Sequence, residues 1–309
     1  MLKTEPKFET WEDEWAMRHI LMPSAMFLCL WVLIASIWAA GEVNGKGDLG
    51  LAFLSTNWMF FHIFIALFTF PALVISGCKF DQMPWLSGML LCCYTLHQFE
   101  EHAWDIFGNR FNLIYMLGRL ICPSTTLPNR STMTLDSEGV FLKTTGCGRV
   151  NEQTILWINV YGIMGLFLVV LLLPKERQPF AVCQNMMMAG LNALLFHILN
   201  FLGMWAKTGS AFEAYNPGLV QSVLLNLPFT FYAMYRMRKA GWVSTCHIVI
   251  TLLTVGIPGF PLLFILPMFS VANEWGWAWV DHLMVLTPMV LLFLVTFAVE
   301  PTERSKKLK

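Results

Sequence analysis

Four ionisable residues stand within six positions of one apolar segment. The segment runs from Met83 to Gly108 and ends with His97, Glu100, Glu101 and His102 close together. On a helix, His97 shares a face with both glutamates, and His102 lies about 140° around the axis. Imidazoles and carboxylates so arranged can bind a metal ion or act as acid and base. Because an ionisable side chain inside a bilayer costs about 2.5–3.5 kcal/mol, we expect this cluster to be functional.

Membrane-spanning helices must position this cluster. Of the 309 residues, 56% are hydrophobic and 13% are charged, whereas about a quarter are charged in soluble proteins. Crossing a bilayer takes about twenty apolar residues. We predict an all-α fold, a polytopic transmembrane helical bundle that forms a single domain of about eight spans. The predicted spans are Ile20–Ala40, Ser55–Gly77, Met83–Ile106, Gln153–Leu173, Ala181–Trp205, Val220–Met237, Val243–Leu266 and Trp275–Val299.

Basic residues in short loops predict the orientation of the bundle. Lysines and arginines gather on the side of the N-terminus, whereas the short loops of the opposite side contain only Lys46 and Lys207. Cytosolic loops carry the excess of basic residues, so both termini are predicted to be cytosolic. Residues 1–19 are then a cytosolic N-terminal segment and residues 300–309 a cytosolic basic tail. Residues 109–152 form a lumenal loop between spans three and four.

The loop and the tail predict residence in the endoplasmic reticulum. Asn129 begins an Asn-Arg-Ser glycosylation sequon, which is used only on the lumenal side. Cys122 and Cys147 bracket the same loop, and we predict a disulfide between them, with two free thiols as the alternative. The chain ends Lys-Lys-Leu-Lys at residues 306–309. This tail resembles a dilysine retrieval signal; the alternative is an ordinary basic flank of the last span.

The predicted topology brings histidines from four spans into the lumenal leaflet. His62 lies early in the second span, the His97 cluster late in the third, His197 and Asn200 late in the fifth, and His282 early in the eighth. Inward-facing imidazoles and carboxylates from packed helices are what a metal site needs. The predicted catalytic residues are Glu100, Glu101, His97 and His102. The predicted metal ligands are His97, Glu101, His197, His282 and His62.

Other interpretations of these residues stay open. A buried histidine next to a carboxylate also suits metal-free proton transfer, and the spacing does not separate this chemistry from a divalent metal, zinc or iron. His62 alone in an apolar span is also typical of a hydrogen bond between helices. His282 follows a run of tryptophans that is typical of an interfacial aromatic belt.

The motif resembles a known family. His97, Gln98, Phe99, Glu100 and Glu101 match the signature of membrane proteins named for a His-x-x-Glu-Glu motif (HXXEE), a largely uncharacterised group. A second block, His197 followed by residues 215–219 and an apolar span with Pro228, is similar to that family as well. The resemblance covers residues 83–237. It implies that His97, Glu100, Glu101, His197 and also Asn216 are functional positions, and we assign Asn200 and Asn216 to substrate binding.

The sequence favours an enzyme that acts on a lipid-soluble substrate, such as a sterol, a terpenoid or a fatty-acyl compound. The alternatives are a metal-free acid/base isomerase or cyclase at the same site, and a proton-coupled transporter. A scaffold role explains the cluster poorly, because placing two adjacent glutamates in the bilayer costs more free energy than other ways of holding helices together. The chain has 20 basic and 20 acidic residues, a balance that is not typical of nucleic-acid binding. The predicted partners are the bilayer and a lipid-soluble small molecule.

Overall fold

All the regular structure described for this chain is helical. The computed structural model describes residues 47–75, 83–108, 159, 170, 173–257 and 290–307, and these contain no β-strand. The helices are α1 (Gly47–Ile75), α2 (Met83–His102), α3 (Lys175–Thr208), α4 (Ala211–Ala214), α5 (219–239), α6 (Thr245–Thr251 continued by Leu252–Gly256), α7 (290–298) and α8 (Glu303–Lys306). The predicted all-α fold is confirmed, whereas the count of eight spans stays a prediction.

Several helices follow the bounds that hydrophobicity predicted. The third predicted span and α2 both begin at Met83, but α2 ends at His102 because residues 103–108 form turns. The sixth predicted span differs from α5 by one residue at its start and two at its end. The first predicted span, segment 1–19 and loop 109–152 lie outside the described residues, as do most of the fourth span and the first half of the eighth.

Three of the helices listed above contain wider π-helical segments, and two of these segments precede a proline in the sequence. The segments are Asn192–Leu199 in α3, Ser222–Asn226 in α5 and Leu252–Gly256 in α6. Pro228 lies two residues after the segment of α5, and in the sequence Pro258 comes two residues after the segment of α6. A proline ring clashes with the carbonyl four residues earlier, and local widening relieves that clash. The segment in α3 has no such proline within it or just after it.

Helices α2 and α3 run in the same direction, and α5 runs opposite to both. Near the start of α2, Leu86 shares a buried apolar cluster with Met186 of α3 and Met237 of α5. At the other end of α2, His97 contacts the later part of α3 and the turn just before α5. This arrangement separates an apolar core at one end of the bundle from a polar cluster at the other.

Helix α1 runs opposite to α2 along its length. The side chain of Leu73, near the end of α1, packs onto Gly88 in the first turns of α2. At the other end, the rings of Trp58 and His102 lie 5.1 Å apart. Helix α1 thus runs opposite to α2, and α5 runs opposite to α3, whereas α2 and α3, which are separated by residues 103–174, run in the same direction.

Large apolar side chains face outward on several helices. Phe64, Leu67, Phe68 and Val74 of α1 are each more than half exposed, and α5, α6 and α7 also carry exposed phenylalanine, leucine or valine. By length and composition, two stretches in the described part of the chain could cross a membrane: Asn57–Ile75 and Lys175–Thr208. Contiguous apolar surface of this kind marks contact with a membrane or another protein.

Candidate metal centre

Three buried side chains from two helices converge on one point. His97 and Glu101 stand four residues apart on α2, and His197 lies in the π segment of α3. Glu101 Oε1 is 3.4 Å from His97 Nε2 and 3.1 Å from His197 Nε2. One donor atom from each of the three lies within 4.8 Å of the others. Donor atoms of a tetrahedral zinc site with bonds of about 2.0–2.1 Å are about 3.3 Å apart, so this geometry fits a divalent metal.

The hydrogen bonds of His197 determine which of its nitrogens can bind a cation. Asn216 Nδ2 donates to the His197 carbonyl over 3.0 Å, which turns Asn216 Oδ1 toward His197 Nδ1 at 2.8 Å. Since that oxygen only accepts, Nδ1 carries the proton. In the neutral ring Nε2 then presents a lone pair to the Glu101 carboxylate, and the two repel each other unless a proton or a metal ion lies between them. Metal-binding histidines typically donate their other nitrogen in this way.

The backbone at Gly218 covers the three side chains. Gly218 has a φ of +84°, and a Cβ there would lie 2.6 Å from His97 Cε1 and 2.8 Å from both Glu101 Cγ and His197 Cε1. Only glycine combines this left-handed conformation with so close an approach. The Asn216-Pro217-Gly218 turn therefore shields the cluster from one side, and residues 214–219 are all buried.

Glu100 contacts different groups from those around Glu101. Its Oε1 accepts hydrogen bonds from Tyr215 Oη at 3.0 Å and from the Val220 amide at 3.2 Å, and its Oε2 accepts from the Gln221 amide at 2.8 Å. The cap residue of α5 is Gly218, which has no side chain to bind these amides. Glu100 therefore acts as the N-terminal cap of α5, where its charge also suits the helix dipole.

Tyr215 stays protonated beside Glu100. Burial, together with the neighbouring Glu100 carboxylate, raises the pKa of the Tyr215 phenol well above its usual range. The phenol therefore remains a hydrogen-bond donor to Glu100 at physiological pH. The ring of Phe107 lies 4.9 Å from the ring of Tyr215 and 4.9 Å from that of Phe212, which ties the turn after α2 to the connection before α5.

A second layer of polar groups surrounds the other oxygen of Glu101. Gln98 Nε2 donates to Glu101 Oε2 over 2.8 Å, and His102 Nε2 lies 3.7 Å from that oxygen. His102 Nε2 is also 3.3 Å from Asn159 Nδ2, and Tyr94 donates to the amide oxygen of Asn159. His102 thus belongs to the polar cluster but lies farther from the point where the three donor atoms meet.

His62 lies at the edge of this layer. It is fully buried, and its ring packs edge-on against Trp58, which also contacts the His102 ring. Neither nitrogen of His62 has a hydrogen-bond partner among the described residues.

One polar neighbour was not singled out from the sequence. Asn192 Nδ2 lies 3.3 Å from His97 Nε2, and Asn192 comes five residues before His197. In a regular α-helix, residues five apart point about 140° away from each other. The i→i+5 pattern of the π segment brings them toward one side. The only signal in the sequence was an amide within an apolar run.

Of the other residues predicted to be functional, two lie in the described part of the chain and four lie outside it. Asn216, predicted to bind substrate, contacts His197 directly. Asn200, also predicted to bind substrate, is half-buried on α3, three residues after His197. His282, Asn129, Cys122 and Cys147 lie outside the described residues, so a ligand, a glycan and a disulfide at these positions stay predictions.

A family model describes part of this chain. Residues 88–233 match the model for a protein of unknown function with an HXXEE motif. This region is similar to the HXXEE-motif family. The resemblance predicted from the motif and the second block is thereby confirmed. No curated protein and no solved structure matches the chain significantly.

The HXXEE-motif region contains every residue of the converging site. His97, Glu101, His197 and the covering Gly218 all fall within residues 88–233, whereas His62 lies before them. Within the motif, His97 at the first position and Glu101 at the last meet at the candidate metal position. Glu100, at the fourth position, caps α5. The motif thus combines two candidate metal ligands with a carboxylate that caps a helix.

Proposed function

We propose that this chain is an integral membrane enzyme that binds a divalent metal ion and acts on a lipid-soluble substrate. The observation that carries this proposal is the position of Glu101 Oε1, 3.1 and 3.4 Å from the Nε2 atoms of His197 and His97. A buried carboxylate facing two imidazole nitrogens needs a cation to balance it. Two histidines and one glutamate are also the protein ligands of known catalytic zinc sites, which leave a position for water or substrate.

The chemistry follows from the ligand set. A divalent metal bound there would polarise a substrate oxygen or lower the pKa of a water molecule. The chain itself supplies the orientation: Asn216 fixes the ring of His197, Gln98 holds Glu101 Oε2, and the turn at Gly218 limits access of water. Zinc and iron both suit two imidazoles and a carboxylate, and metal analysis distinguishes them.

A bilayer environment is supported by the surface and by the directions of the helices. The outward-facing apolar side chains of α1, α5, α6 and α7 suit lipid contact. Helix α1 runs opposite to α2, and α5 runs opposite to α3; the shared direction of α2 and α3 suits a bundle of about eight spans in which the predicted fourth span lies between them. In that topology the polar end of the bundle lies in the lumenal leaflet, within reach of sterol, terpenoid or fatty-acyl substrates.

Residence in the endoplasmic reticulum is part of the proposal. It is supported by Lys306 and Lys307 near the C-terminus, by the sequon at Asn129 and by the cysteines at 122 and 147. The lysines suit a cytosolic retrieval signal, and the other two features suit a lumenal loop.

Metal-free acid/base chemistry is the second candidate, and one observation favours it. A proton shared between His197 Nε2 and Glu101 Oε1 also fits their separation of 3.1 Å. The site would then hold an imidazolium beside a carboxylate, which suits an isomerase or a cyclase.

The decisive experiment combines metal analysis with lipid conversion. The full chain is purified in detergent, its metal content is measured, and the lipids that co-purify are identified by mass spectrometry and returned as substrates. The proposal expects about one metal ion per chain and conversion of a lipid that stops after chelation and resumes when the metal is restored. Conversion by fully metal-free protein would establish the second candidate. Flux of an unchanged solute in sealed vesicles, with no lipid converted, would contradict both.

A further inference from the structure

Asn192 is a further polar side chain beside the candidate metal position, and it is not one of the three converging donors. Its amide nitrogen lies 3.3 Å from His97 Nε2, the same nitrogen that faces Glu101 Oε1 at 3.4 Å. Its amide oxygen is buried and has no hydrogen-bond partner among the described residues. The oxygen is therefore available to a ligand.

A bound cation changes which end of this amide faces the site. With a metal on His97 Nε2, the lone pair that accepts from Asn192 is used, and the amide N–H would point at a positive charge. Rotation of the amide by 180° exchanges its nitrogen and oxygen with little change in shape. The rotation gives up only the hydrogen bond to His97, which the metal replaces, and it turns a carbonyl oxygen toward the cation.

We infer that Asn192 Oδ1 is a fourth protein ligand at the metal site, an inference that rests on the function proposed above. The donor set then contains two imidazole nitrogens, one carboxylate oxygen and one amide oxygen. A neutral amide is the weakest of these donors and leaves the metal most readily, so a water molecule or a substrate oxygen can take its place. Asn192 thus occupies, in the resting site, the position that a catalytic metal keeps exchangeable.

The π segment Asn192–Leu199 gives this inference a structural cause. It lacks the proline that explains the other two segments, and its i→i+5 pattern brings Asn192 and His197 toward the same side of α3. Two ligands five residues apart on α3, Asn192 and His197, can reach one metal ion only if the helix is wider between them, which accounts for the π segment. π segments are frequent at functional sites.

Two substitutions at this position separate a ligand from a hydrogen-bond donor. Asn192→Leu keeps the size of the side chain and removes both polar groups. Asn192→Asp keeps an oxygen donor and adds a negative charge, but it has no N–H to donate to His97. Asn185→Leu, two turns earlier on α3, is the matched control for loss of a buried amide from the same helix.

The test titrates Co²⁺ into the purified full chain after chelation, with visible absorption reporting affinity and coordination number. We expect Asn192→Leu to bind Co²⁺ about 10–100-fold more weakly, Asn192→Asp to bind it as tightly as wild type or more tightly, and Asn185→Leu to be unchanged. Thermal unfolding in detergent shows whether each variant is folded. If Asn192→Leu does not fold, the Co²⁺ affinity of Asn192→Asp alone tests the inference. An aspartate variant as weak as the leucine variant, or a leucine variant equal to wild type, overturns the inference. Folded wild-type protein that binds no Co²⁺ overturns the metal site itself.

Discussion

The two adjacent glutamates of the motif have different partners. Glu101 faces the imidazoles of His97 and His197. Glu100 accepts hydrogen bonds from two backbone amides and from the Tyr215 phenol. Adjacent residues on a helix point about 100° apart, so one carboxylate reaches the candidate metal point and the other reaches the start of α5. Glu101 therefore belongs to the candidate metal site, whereas Glu100 caps α5.

Loss of Glu101 or His197 should abolish metal binding. We expect Glu101→Gln and His197→Ala to lower metal affinity by at least about 10–100-fold, because the first replaces a charged carboxylate donor with a neutral amide and the second removes an imidazole nitrogen. The measurement is metal content after dialysis against a graded series of chelator concentrations. His247→Ala is the control, since His247 is buried but bonds to Ser244 and the Glu300 carbonyl instead. Full metal content in either site variant would show that the metal, if bound, lies elsewhere.

Glu100 should affect stability and not metal content. Glu100→Ala leaves the Val220 and Gln221 amides without their acceptor, and we expect a loss of about 1–3 kcal/mol in stability. Glu100→Gln keeps an acceptor oxygen and should cost less. Thermal unfolding in detergent gives the order of the variants. A Glu100→Ala protein that is as stable as wild type but has lost its metal would reverse the roles assigned to the two glutamates.

Sequence reasoning identified most of the cluster because charge in an apolar segment is conspicuous. His97, Glu101 and His197 were each predicted as ligands, and the structure brings them together. The separate partners of Glu100 could not be predicted, because they depend on where α5 begins relative to α2. Asn192 was missed because a regular helix turns it away from His197.

At the scale of elements, the site depends on irregular backbone between and within long helices. The bounds of α2 and α5 follow from hydrophobicity, since apolar runs of known length define them. The π segments cannot be predicted from hydrophobicity, because a hydrophobic pattern identifies a helix by its period of 3.6 residues per turn. The prolines after two of the segments offered a partial signal, whereas the segment in α3 offered none.

The turn at Gly218 should tolerate no side chain. Gly218→Ala places a methyl group within 2.8 Å of atoms in all three ligand residues, so we expect loss of metal binding as well as of stability. Gly209→Ala is the matched control, because Gly209 also has a positive φ, +69°, but nothing lies within 4 Å of its Cβ position. Both variants should lose about 1–2 kcal/mol from backbone strain. Only the variant at 218 should lose the metal, and equal metal content in the two would contradict the close contact.

At the scale of the whole molecule, the bundle has an apolar core at one end and the polar cluster at the other. Leu86, Met186 and Met237 are fully buried in the core. This core fixes α2, α3 and α5 against one another, so the ligands on α2 and α3 are carried on rigid supports. The number of spans and their orientation depend on residues beyond the described helices and stay predictions.

The C-terminal lysines should determine where the protein resides. If residues 306 and 307 form a retrieval signal, Lys306→Ser combined with Lys307→Ser should let the protein leave the endoplasmic reticulum. A glycan at Asn129 would then become resistant to endoglycosidase H, which is a shift visible on a gel. Arg238→Ser, an exposed basic residue on the same predicted side, is the control. A glycan that stays sensitive in the double variant would contradict the retrieval signal.

The crowding around Gly218 also bears on how relatives of this chain can be recognised. Any protein that holds the same three ligands under the same turn must place glycine at the corresponding position, since no other residue fits there. A search pattern that pairs His-x-x-Glu-Glu with a later Asn-Pro-Gly would therefore discriminate better than the five-residue motif, which arises often by accident. Sequences with the first half of that pattern and a bulkier residue in the second should lack the ion-binding arrangement altogether.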